Sequence, residues 1–62
     1  MPTEASEVRD AAQRIRQGDR RVDISLRAEL AELLDELADG DDHGEIDPWV
    51  LALARKINGP AR

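Results

Sequence analysis

LRAELAELLDELADG, residues 26–40, sets Leu26, Leu30, Leu33 and Leu37 at a 4-3-4 spacing, and Leu34 widens the stripe. At about 100° per residue the five leucines fall within an arc of about 100°, the apolar stripe of an amphipathic α-helix. Glu29, Glu32, Asp35 and Glu36 occupy the other side, and Gly40 stands where a helix C-cap favours glycine. The pattern predicts a core-forming helix over about residues 25–39, begun by either Asp23 or Ser25 as N-cap. On this reading Leu33 is a core residue, and Leu33→Ala should cost about 2–4 kcal/mol.

N-terminal to this stretch, Ala5, Val8, Ala11, Ala12 and Ile15 recur at intervals of three and four, predicting a helix over about residues 4–17. Thr3 reads as its N-cap, Glu4 and Glu7 suit the positive end of its dipole, and Gly18 follows as a stop. The stripe is rich in alanine, so this helix is expected to contribute less burial than the others. On the C-terminal side, Asp47 reads as an N-cap and Pro48 fits the first helical position. Ile46 can pack on Leu51 as a hydrophobic staple. A helix over about residues 48–58 follows, with Val50, Leu53, Ala54 and Ile57 as its main face and Trp49 and Leu51 on the margins. Asn58, Gly59 and Pro60 end it.

Three such helices predict an all-α fold, a small three-helix bundle forming one domain over residues 1–62. A helical hairpin that completes its core by dimerising is the alternative. The composition agrees: Trp49 is the only aromatic residue, so aromatic strand formers are nearly absent. A chain of 62 residues without cysteine has neither disulfides nor thiolate metal sites to support a small core, so its stability should be modest.

No apolar run approaches the roughly 18 residues that span a bilayer, and MPTEASEVRD lacks the order of a secretory signal. A cytoplasmic protein with no membrane association is the expectation. The net charge of −5 is unevenly spread: residues 28–54 hold nine acids and no Lys or Arg, while the flanks carry all nine basic residues. Nucleic acid is not an expected partner, whereas a basic protein is.

DGDDHGEIDPWV, residues 39–50, follows one helix and precedes another, as an EF-hand calcium loop does. It resembles that loop at Asp39, Asp41, Gly44, Ile46 and Asp47, and the resemblance implies Asp39, Asp41 and Asp47 as calcium ligands. His43 stands where an oxygen donor is usual, and Val50 stands where a bidentate Glu normally closes the site. Any affinity is expected in the millimolar range. The plainer alternative is a solvated acidic connection that supplies an N-cap.

RRVDISLR, residues 20–27, alternates apolar and polar side chains as a half-buried strand does. With a leucine-rich helix after it, this resembles a ribbon-helix-helix protein, and the resemblance implies a dimeric strand pair in the DNA major groove. Asp23 on the DNA-facing side and the acidic middle of the chain depart from that pattern. A short lead-in to the second helix is the other reading.

Trp49, at the edge of its helix's apolar face, is a candidate interaction anchor or a core residue. The inventory of nucleophiles and bases, Thr3, Ser6, Ser25, His43 and Lys56, contains no recognised catalytic spacing, so no enzyme and no cofactor are expected. The segments VRDAAQRIR, LAELLDELA and DPWVLALARKING together resemble short helical proteins of high-GC actinobacteria and their phages, a group that implies no activity. The expectation is a small non-enzymatic interaction or regulatory factor of bacterial or phage origin, acting on an unidentified protein partner or as a homodimer.

Overall fold

Each helix begins at a side-chain cap. The Ser6 amide donates to Thr3 Oγ1 at 3.0 Å, the Ser25 amide to Asp23 Oδ1 at 2.8 Å and the Trp49 amide to Asp47 Oδ1 at 2.8 Å. These bonds satisfy amides that have no partner within their own helix. The computed structural model describes residues 3–40 and 45–59. It contains α1 (Glu4–Gly18), α2 (Ile24–Leu37) and α3 (Pro48–Asn58), and no strand among the described residues. The lead-in that could have been a strand is a turn at residues 20–21 followed by the first turn of α2, with Asp23 rather than Ser25 as the cap. At the end of α1, Gly18 takes φ 113°, a conformation that side-chain-bearing residues rarely adopt.

The all-α bundle is as predicted, but its centre is a different helix. Helix α1 packs against both α2 and α3, whereas α2 and α3 hardly meet each other. Val8, Ala11, Ala12 and Ile15 of α1 are fully buried. The expectation that the alanine-rich helix would bury least is therefore overturned. Its small side chains let two other helices approach closely from adjacent directions, and a helix covered on two sides loses more surface to solvent than one covered on one.

On α2 the buried stripe is Ala31, Leu34 and Ala38, with Arg27 partly buried along the same line. It lies one residue, about 100°, around the helix from the stripe of Leu26, Leu30, Leu33 and Leu37. Leu30 and Leu37 are half-buried, but Leu26 and Leu33 are 53% and 50% exposed. Leu33 is thus not a core residue: the stripe that meets α1 is chosen for small side chains that allow close approach. Helix α3 is rotated in the same sense. Leu51, Ala54 and Ile57 are buried, Val50 is half-buried, and Leu53, expected on the main face, is 42% exposed. Val22, Leu30, Ile46 and Val50 pack around the rim of the core.

Polar contacts fix the order of the three helices. Arg9 Nη2 donates to Asp39 Oδ1 at 3.1 Å, and Arg16 pairs with Asp35, which together run α2 antiparallel to α1 along one edge. On the other edge Arg55 pairs with Glu7 at 3.3 Å, and Asn58 Nδ2 donates to the Glu7 backbone oxygen at 2.9 Å, which fixes α3. Exposed ion pairs of this kind contribute about 0–1 kcal/mol each, so they select the arrangement more than they stabilise it.

Candidate functional site

The same contacts define which sides of α2 and α3 are left open. On α2, Asp35 lies about 70° from the buried stripe, with Asp39 just past the helix end also paired to α1, and the leucine stripe lies about 100° the opposite way. On α3, Arg55 lies about 100° from the buried centre on the edge away from α2, while Trp49 and Leu53 lie about 120° the other way. By helical phase, Leu26, Leu30, Leu33 and Leu37 lie on the side of α2 away from Asp35, and Trp49 and Leu53 on the side of α3 away from Arg55. Trp49 is 85% exposed. Ile24, also exposed, stands apart at the first turn of α2.

The face has a polar border of defined sign. Glu29 and Glu36 crest α2 roughly opposite its buried stripe, and Lys56 crests α3 in the same way. At the C-terminal end of the leucine stripe a cleft of about 270 Å³ opens between Leu37, Gly40, Glu45, Ile46, Asp47 and Pro48. Apolar walls and two carboxylates meet there. Among the described residues of this face none is a nucleophile with a base beside it; what they offer is an apolar surface with charge at its edges.

The loop candidates are placed only in part. Asp39 holds Arg9, and Asp47 spends Oδ1 on the Trp49 amide. Asp41 and His43 lie outside the described residues, so the calcium-like arrangement as a whole does too. Val50, in the position a closing carboxylate would need, is half-buried against the core.

Arg21 is the residue whose role sequence reasoning missed. Its Nε and Nη2 donate to Asp19 Oδ1 at 3.0 Å and Oδ2 at 2.7 Å. Nη1 and Nη2 also donate to the backbone oxygens of Lys56 at 3.0 Å and Ile57 at 2.6 Å. The guanidinium so caps the carbonyl end of α3 from the α1–α2 connection, where a positive charge suits the helix dipole. Hydrogen bonds from the Arg21 side chain and amide lower the Asp19 carboxyl to about 2, although partial burial opposes them. The Ser25 hydroxyl and amide likewise lower Asp23 from its ordinary value. Arg27 closes the same turn, donating from Nε to the backbone oxygens of Asp19 and Val22 at 3.2 and 3.1 Å. These arginines are structural, and they leave the face between α2 and α3 untouched.

Comparison of the chain with family models, with curated proteins and with solved structures gives no match. Among the described residues, no helix is long and apolar enough to cross a membrane.

Proposed function

We propose that this protein is a small non-enzymatic interaction factor that binds a partner protein through the apolar face shared by α2 and α3. One observation carries the reading. A 62-residue domain with little apolar material to spare leaves Leu26 and Leu33 exposed on one stripe of α2 and Trp49 and Leu53 exposed on one side of α3, grouped along each helix rather than scattered singly. Trp and Leu so arranged suit a contact whose centre excludes water and whose charged border sets orientation. An accessory or regulatory role in a bacterial or phage-infected cytoplasm agrees with the cysteine-free composition and with the resemblance of its three helical segments.

Site-specific photo-crosslinking in the source cell tests this. A crosslinking residue at position 33 or 53 should trap one discrete protein, and one at position 13, on the polar side of α1, should trap none. Equal labelling from positions 13 and 33, or no adduct from either face position, removes the reading.

A further inference from the structure

We infer that the occupant of the α2–α3 face is an amphipathic helix with an apolar seam and Lys or Arg on its flanks. This rests on the reading of that face as an interaction surface and specifies what it takes.

Leu26, Leu30, Leu33 and Leu37 keep the 4-3-4 spacing of a coiled-coil seam over about three turns. The fold uses that seam only in part: α1 is met by Ala31, Leu34 and Ala38 one residue further round, Leu30 packs at the rim of the core, and Leu26 and Leu33 stay about half exposed. Helix α3 does not cover it, since α2 and α3 hardly touch. A seam of this period is matched by another helix laid along it, as in helix-in-groove recognition, and the exposed Trp49 and Leu53 of α3 offer further apolar surface to the same partner. The stripe from Leu26 to Leu37 is about 17 Å long, so a helix of some 12 residues or more covers it.

Charge selects among such helices. Glu29 and Glu36 border the seam along the crest of α2, and neither forms an ion pair among the described residues. The cleft at the end of the stripe adds Glu45 and Asp47 beside Leu37, Ile46 and Pro48. An arginine or lysine suits that cleft, its hydrocarbon stem on the apolar walls and its charge at the carboxylates. The same pattern argues against a second copy: antiparallel pairing of two α2 seams sets Glu29 against Glu36 of the other chain, and like charges in flanking positions oppose association. The net charge of −5 on each chain adds to that repulsion.

The test uses the intact protein and two synthetic helical peptides that share leucines at heptad a and d positions, one with Lys and one with Glu at the flanking e and g positions. Binding is read by Trp49 fluorescence and calorimetry, and the protein alone is examined by sedimentation equilibrium. The Lys-flanked peptide should bind about tenfold or more tightly than the Glu-flanked one, and less tightly as salt is raised. Leu33→Glu should abolish binding without changing the helical melt. The surface double change Glu29→Lys with Glu36→Lys should reverse the preference between the peptides. Equal binding of both peptides, binding of neither, or full binding by Leu33→Glu overturns the proposal. A dimer of the protein alone that Leu33→Glu converts to monomer overturns it in favour of a second copy, while leaving the face as an interaction surface. If position 33 also traps nothing in the cell, the reading of the face falls with it.

Discussion

Arg21 donates from Nη2 to the backbone oxygen of Ile57 at 2.6 Å, joining the turn after α1 to the carbonyl end of α3. The same guanidinium holds Asp19 and the Lys56 carbonyl. Arg21→Ala should therefore lower the melting temperature by several degrees and fray α3 first, visible as faster amide exchange toward Asn58. Arg21→Lys should recover little, because one ammonium cannot reproduce the planar fork that serves Asp19 and two carbonyls together. Full recovery by lysine would reduce the contact to simple charge.

Asp19 makes the fold sensitive to acid. Its folded value, about 2, lies below the ordinary 3.8, so its contribution is complete above the ordinary value and is lost as pH falls toward 2. Asp23, lowered by Ser25, acts in the same direction. Denaturant melts of the parent between pH 5 and 2 should show stability falling with pH, and Asp19→Asn should flatten that slope while lowering stability at neutral pH. An unchanged slope would mean that the Arg21 contact is absent in solution.

Adjacent leucines on α2 should behave oppositely. Leu34 is 1% exposed, so Leu34→Ala should cost about 2–4 kcal/mol, enough to unfold much of a marginal domain. Leu33→Ala should cost under about 1 kcal/mol, because half of its surface already faces solvent. Thermal melts followed by circular dichroism distinguish the two. Equal losses would mean that the leucine stripe is covered in solution by something outside the described structure.

These particulars separate what was legible in the sequence from what was not. Thr3, Asp47, Pro48 and Gly18 mark helix ends through chemistry confined to a few neighbouring residues; the starts fall where the sequence placed them, and α1 runs one residue further, through Gly18. The facing of α2 was not legible. Hydropathy favours the stripe with the larger side chains, whereas the contact with an alanine-rich helix favours the stripe with the smaller ones, and the two differ by a single residue. The unbroken 4-3-4 leucine spacing was nevertheless the available signal for the candidate face. No local pattern could have revealed Arg21, whose carbonyl partners lie 35 and 36 residues away.

Asp47 offers a test of the acidic connection. Because its carboxylate caps α3, Asp47→Ala should cost about 1 kcal/mol irrespective of calcium, and Asp47→Ser should restore most of it. Calcium added to the intact chain is expected to bind no more tightly than millimolar, since Val50 replaces the closing carboxylate and packs against the core. Calorimetry showing submillimolar binding that Asp47→Ala removes would make the connection a metal site.

The central position of α1 also imposes a sequence in time. Helices α1 and α2 are joined by the short connection 19–23 and so meet at little entropic cost. The contacts of α3 with Glu7, by contrast, reach back across 48 and 51 residues. The α1–α2 hairpin should therefore form first and α3 dock late, a polarised folding transition state in which Leu34→Ala slows folding while Ala54→Gly chiefly speeds unfolding. Stopped-flow chevrons of the two variants measure this, and a folding limb slowed equally by both would replace the ordered route with a concerted one. In the ordered case the apolar surface supplied by α3 is the last part of the molecule to exist, and a nascent chain presents the leucine seam before the tryptophan.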